Sequence, residues 1–151
     1  MKDVMISITG MQYAVSGTDN QDAMQLVTDG KYCYKDGHGE LSYIESEITG
    51  LVGTKTSFKF SPDGIVLSRD GMITSRMVFR EGEQNNFLYD TPYGSMTIGL
   101  DTHRIYNNLN EHGGDVVIDY VLNFDHRVVG RNKFTIQVKE WAGGLNNGKS
   151  C

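Results

Sequence analysis

The chain has 151 residues, 38% hydrophobic and 22% charged, with a formal net charge of −5. That is the size of one domain with room for a core, and its acidic balance lacks the cationic footprint that nucleic-acid binding needs. No apolar run approaches the roughly 20 residues that cross a bilayer as a helix. The N-terminus, Met-Lys-Asp-Val-Met-Ile-Ser, alternates from its start and carries no apolar leader core, so the expected setting is the cytoplasm, with neither membrane nor nucleic acid as partner. Two prolines against eighteen glycines, with eight tyrosines and six phenylalanines, suit strands joined by tight glycine turns. Cys33 falls mid-strand and Cys151 is the last residue, so no disulfide framework is expected.

Successive side chains on a strand point to opposite faces, and the chain shows that rhythm from its start. Val4, Ile6 and Ile8 alternate with Met5, Ser7 and Thr9, a first strand that runs past Gly10 toward Tyr13. Ser16 to Asp22 is a polar loop. Met24, Leu26 and Thr28 open a second strand that bends at Gly30 and carries Tyr32 and Tyr34. Asp36-Gly37 marks a hairpin turn. The next strand, Glu40 to Ile48, puts Leu41, Tyr43, Glu45 and Glu47 on one face, and neither of its faces is cleanly apolar.

Gly50 and Gly53 break the pattern before Thr54, Thr56, Phe58 and Phe60 oppose Lys55, Ser57 and Lys59. Ser61-Pro-Asp-Gly64 is a turn. Ile65 and Leu67 continue, Arg69-Asp-Gly71 turns again, and Ile73, Ser75, Met77 and Phe79 face inward. Glu81-Gly-Glu83 turns once more. Phe87 and Tyr89 form a short strand that ends at Asp90-Thr-Pro-Tyr-Gly94; Met96, Ile98 and Leu100 follow, and Asp101 to Asn110 is less regular. The clearest element is the hairpin from Gly114 to Glu140, turning near Asp125-His126. Val116, Ile118, Tyr120, Leu122 and Phe124 share one face of its first arm, and Asn132, Phe134, Ile136 and Val138 share one face of the second.

About ten short strands, with turn signals every 8–12 residues or so and no amphipathic helix, define an all-β chain. The connections are too short for crossover helices, so the sheet is an antiparallel meander. Closure removes the two edges that an open meander would leave. The expected fold is a closed antiparallel β-barrel of about 8–10 strands. Residues 1–140 form its single domain, and the glycine- and asparagine-rich stretch 141–151 is a loose tail.

Several segments carry a family pattern. They are Lys2 to Gly10, Leu26 to Tyr32, Tyr43 to Thr54, Met77-Val-Phe79 with Glu81-Gly82, Asp90 to Gly94, and the final hairpin. In this order and spacing they resemble the YwiB-like family, a domain of unknown function in Gram-positive bacteria. The resemblance covers nearly the whole chain up to about Glu140. It implies a small cytosolic protein with a calycin-like (lipocalin-like) β-barrel. It implies no activity, because the family carries no established catalytic set.

Tyr32, Tyr34, Tyr43, Glu45, Tyr120 and Asn132 fall on the inward faces, with Thr54, Thr56 and Ser75 near them in the pattern. A small barrel either fills its interior with side chains or keeps room for one ligand. Tyrosines supply an apolar body with a hydroxyl tip, and a buried carboxylate at Glu45 needs a partner. The first reading is therefore a non-enzymatic binding module for a small, partly apolar ligand, with Tyr93 in the Asp90–Gly94 turn as a contact at the rim. A second is an interaction module or homodimer using apolar residues out of phase with the core: Met5, Met72, Val78 and Leu88. A third is an enzyme using Glu45 and a tyrosine as acid and base.

No nucleophile elbow, zinc-protease helix or phosphate loop is present, and no cofactor is expected. Asp36, His38 and Glu40 surround a turn without a fourth ligand, so no metal is expected there. Lys55, Lys59, Arg76 and Arg80 read as a solvated row that discourages edge pairing.

Overall fold

The alternation becomes one curled sheet. The structure, a computed structural model, describes residues 1–13 and 21–141, together with their side chains except at 12, 13, 21–23 and 48. The strands are β1 (Lys2–Tyr13), β2 (Gln21–Lys35), β3 (His38–Ile44), β4 (Lys55–Ser61), β5 (Gly64–Asp70), β6 (Ser75–Phe79), β7 (Gln84–Thr91), β8 (Gly94–Asn107), β9 (Gly113–Phe124) and β10 (Arg127–Glu140). They lie in the order β6-β5-β4-β3-β2-β1-β10-β9-β8-β7, and every pairing is antiparallel. The first and last strands thus pair in the middle of the sheet, from Val4↔Glu140 to Tyr13↔Arg131.

The two flanks, β6 and β7, are neighbours in sequence, and the sheet curls until they meet. Thr74 and Asp90 exchange backbone hydrogen bonds of 2.9 and 3.0 Å, and the Asn85 side chain donates to the Val78 carbonyl at 2.9 Å. A single bridge and a side chain close the barrel at this seam, where the other neighbours share full ladders. The all-β antiparallel barrel expected from the alternation is the fold observed.

The connections sort to two ends. The turns at 36–37, 62–63 and 80–83 and the loop at 108–112 form the lower end. The loop at 45–54 and the turns at 71–74, 92–93 and 125–126 form the upper end. The hairpins at Asp36-Gly37 and Asp125-His126 turn on paired left-handed residues, with φ of 53° and 80° in one and 52° and 62° in the other. Such turns match the twist of the strands they join.

The middle of the barrel is packed. Phe58 stacks on Phe60 at 5.8 Å between ring centres and meets Phe134 at 6.0 Å, although β3, β2 and β1 lie between their strands in the sheet. Leu41, Leu67, Ile118 and Ile136 are buried around them. The lower end is closed by its own loop. Tyr32 is fully buried and its hydroxyl donates to the Asn110 carbonyl at 2.6 Å, while Leu109 is buried beside it. The Lys2 ammonium bonds the Glu140 carboxylate at 2.6 Å and the Glu111 carbonyl, and His112 reaches Glu140 at 3.0 Å.

Four expectations are corrected. The strand Glu40 to Ile48 ends at Ile44, because the Glu45 N–H turns to the Thr54 carbonyl and residues 47–49 wind into a 3-10 turn. Arg69 is no turn residue but lies within β5. The segment from Asp101 does not lose its structure; β8 continues to Asn107 through a bulge between Thr102 and Arg104, which shifts the alternation. Cys33 is buried and disulfide-bonded, against the expectation for the cysteines, and its partner lies outside the described residues. Most of the polar loop from Ser16 and the tail at 142–151 also lie outside them. Lys55, Lys59, Arg76 and Arg80 are exposed, as read. No helix among the described residues is long and apolar enough to cross a membrane.

Gly30 makes one close crossing workable. A Cβ there would run into the Ile6 side chain and stand 2.7 Å from the Ser42 carbonyl oxygen, a backbone atom held in the sheet. Gly30→Ala should therefore lower stability by about 1–3 kcal/mol, as overpacking does. Urea unfolding of the two proteins measures it, and an unchanged midpoint would show that the crossing is loose.

Candidate functional site

The upper interior is polar, and register builds it. Tyr43, Thr56, Arg69 and Ser75 are successive cross-strand neighbours on β3, β4, β5 and β6. Each lies two residues from the apolar row below, which runs Leu41, Phe58, Leu67 and Met77. All four apolar residues are buried, so by alternation the polar row also faces the interior. Tyr43, Thr56 and Ser75 are buried, and Arg69 is half-buried.

Glu45 sits just past Tyr43 and is 4% exposed. One carboxylate oxygen accepts from the Thr56 hydroxyl at 2.7 Å, the other from the Thr49 hydroxyl at 2.8 Å, and the Tyr43 phenol hydrogen-bonds it as well. This satisfies a carboxylate that would otherwise be costly to bury. Its neighbour Thr54 is fully buried and accepts from the Met72 N–H at 3.0 Å, so the 45–54 loop is stitched to the 71–74 turn.

The opposite wall is Tyr120 on β9. Its ring meets Phe79 edge-on at 5.2 Å. Its cross-strand neighbours are Thr102 on β8, fully buried, and Asn132 on β10, half-buried. Burial raises the pKa of both Tyr43 and Tyr120; Glu45 raises Tyr43 further, while the positive charge of Arg69 opposes the rise in each. The two phenols stay protonated and remain hydrogen-bond donors.

Arg69 itself is unmatched. Among the described residues no carboxylate lies within 4.0 Å of it, and its Nε is buried without a hydrogen-bond partner. Two more buried polar atoms share that condition: Ser75 Oγ beside Arg69, and Thr102 Oγ1, whose backbone is bonded to Gly82 and Glu83 of the lower-end turn. Buried polar groups are nearly always partnered, so the adjacent orphans at Arg69 and Ser75 call for an explanation.

Of the residues expected to contact a ligand, the structure gathers Tyr43, Glu45, Tyr120 and Asn132 at the upper end. Tyr32 is bonded into the lower end, and Tyr34 lines a surface depression there with Ser61, Pro62, Glu81 and Ile105. Tyr93 stands fully exposed at the tip of its turn, where Thr91 Oγ1 accepts from its N–H at 3.2 Å. Arg69 and Thr102 went unread. The signal for both was present, since Arg69 is in phase with Ile65 and Leu67, and Thr102 with Ile98 and Leu100. His38 Nδ1 lies 3.0 Å from the Asp36 carbonyl of its own turn, and no metal-holding group of three such side chains occurs among the described residues.

A ten-stranded antiparallel β-barrel with a polar cluster inside one end is the class of protein this defines. The chain belongs to the family described as a domain of unknown function, DUF1934, whose profile matches residues 6–136. The uncharacterised β-barrel protein YwiB of Bacillus subtilis (strain 168) is 29% identical over 101 residues, which cover 67% of this chain and 70% of that one. The crystal structure of the ywiB protein from Bacillus subtilis matches with a TM-score of 0.80 at 22% identity, over 93% of each chain, and shows the same fold. The YwiB-like resemblance read from the segments is thus borne out.

A phenol whose folded pKa lies above its unfolded value, 10.0 for tyrosine, stabilises the fold at lower pH, and that stability is lost as pH rises through the folded value. Tyr32, Tyr43 and Tyr120 are all raised. In an alkaline titration followed by phenolate absorbance, a late component should appear only as the fold loosens, and Tyr43→Phe or Tyr120→Phe should each shrink it by one tyrosine. Ionisation of every tyrosine together, with the fold intact, would contradict their burial.

Proposed function

We propose that this protein is a non-enzymatic binding barrel that takes one small, partly apolar ligand into its upper end. Tyr43, Tyr120 and Asn132 contact the ligand, and Glu45 anchors the wall behind them. The observation that supports this is the pair of unpartnered buried polar atoms, Arg69 Nε and Ser75 Oγ, one row above an apolar floor. A packed interior with no ligand would gain from apolar side chains at those positions. A binding role also suits the Glu45 geometry, since a carboxylate engaged by two threonines and a phenol is built to hold a wall.

The fold is calycin-like in this reading, and its setting is the cytoplasm on the sequence grounds given above. A partner-binding role through out-of-phase apolar residues has less support: Met72 and Leu88 are half exposed beside the seam, but Met5 lies on β1 across the sheet from it.

Native mass spectrometry of the freshly purified full chain tests the proposal. A small-molecule adduct that survives gentle ionisation and disappears on denaturation is the expected result. A bare chain, whose unfolding temperature no member of a small-metabolite panel raises, would remove the reading.

A further inference from the structure

We infer that the upper-end site is a seat for a singly charged organic carboxylate, held by Arg69 and Ser75 with its apolar part on the Leu41–Phe58–Leu67–Met77 layer. The inference rests on the binding reading above and specifies its ligand. It starts from a cost. A guanidinium brought into a barrel without a counter-charge is unfavourable, because desolvation is not repaid by any partner. Arg69 faces inward in phase with Ile65 and Leu67, its Nε is buried without a partner, and no described carboxylate comes within 4.0 Å. The buried acid on the same wall, Glu45, is already engaged by Thr49, Thr56 and Tyr43.

The groups around Arg69 are donors. Ser75, its cross-strand neighbour, is 5% exposed and its hydroxyl has no partner. The phenols of Tyr43, two places along the same row, and of Tyr120 on β9 both feel the positive charge of Arg69 and remain protonated. The Ser75 hydroxyl and the Arg69 guanidinium are adjacent, unpartnered donors suited to an acceptor group, and the planar fork of arginine fits a carboxylate. The Glu45 charge limits what that group carries. One positive and one negative side chain make the wall neutral, so a second negative charge, as on a phosphate dianion, would be repelled. The row beneath the polar row is wholly apolar, which suits a hydrocarbon or ring attached to the carboxylate.

The test uses full-length protein, Arg69→Gln, Arg69→Lys and Ser75→Ala, with benzoate and octanoate as probes, benzamide and octanamide as neutral counterparts, and inorganic phosphate. Thermal unfolding and calorimetric titration are read together. The expected result is that a carboxylate binds the wild-type chain and its amide does not. Arg69→Gln should weaken carboxylate binding by about tenfold to a hundredfold, the loss of a charged hydrogen bond. Ser75→Ala should weaken it less. Without ligand, Arg69→Gln should unfold no earlier than wild type, since an unpaired charge has gone; Arg69→Lys keeps the charge without the fork and should also weaken binding.

If carboxylates and amides bind equally and Arg69→Gln changes neither, the barrel binds a ligand and the carboxylate seat is wrong. Tighter binding of phosphate than of either carboxylate overturns the charge class. A ligand-free Arg69→Gln that unfolds well below wild type makes Arg69 a structural residue and ends the inference. A chain that binds no probe and emerges bare from native mass spectrometry removes the binding reading beneath it.

Discussion

The rings of Phe58 and Phe134 come from strands that are four places apart in the sheet, yet they meet across the interior at 6.0 Å. That contact needs the sheet to be curled and the middle of the barrel to be filled. With Phe60 stacked on Phe58 and with Leu41, Leu67, Ile118 and Ile136 around them, it forms an apolar plug. Burying a phenylalanine stabilises by about 1.5–3 kcal/mol, so such a plug supplies much of what holds a curled meander shut. The seam between β6 and β7 contributes far less, having one backbone bridge and one asparagine side chain.

The plug also divides the barrel. Below it, Tyr32 is bonded to the 108–112 loop and the lower end is sealed by Lys2, Glu140 and His112. Above it, the inward positions change from Leu41, Phe58, Leu67 and Met77 to Tyr43, Thr56, Arg69 and Ser75 in a single step along four strands. A change of chemistry in register on neighbouring strands is hard to ascribe to packing alone, because polar side chains at those positions reduce the apolar area buried. The step places a polar surface on a dry floor, which is how ligand sites in small barrels are built.

Strand alternation and turn chemistry made most of the fold readable beforehand. Val116 to Leu122 and Asn132 to Val138 needed only parity, and the two left-handed hairpin turns were marked by Asp-Gly and Asp-His. Errors arose where parity is interrupted. The bulge at Thr102/Arg104 disguised the lower half of β8, and the backbone of Glu45 left the strand although its side chain stayed inside. Arg69 was obscured by its company, since Arg-Asp-Gly resembles a solvated turn until its phase with Ile65 and Leu67 is followed. Tyr32 and Tyr43 were both read as inward tyrosines of one site; their distances from the Asp36-Gly37 turn put Tyr32 at the sealed end and Tyr43 at the polar one.

The contact across the interior can be observed directly. In protein labelled at phenylalanine, nuclear Overhauser effects between the ring protons of Phe58 and Phe134 should be present, with none between the Phe58 ring and water, and they should vanish on unfolding. Their absence from the folded protein, or nuclear Overhauser effects from water to the Phe58 ring, would mean that the sheet is not curled around an apolar plug, and the polar site above it would lose its floor.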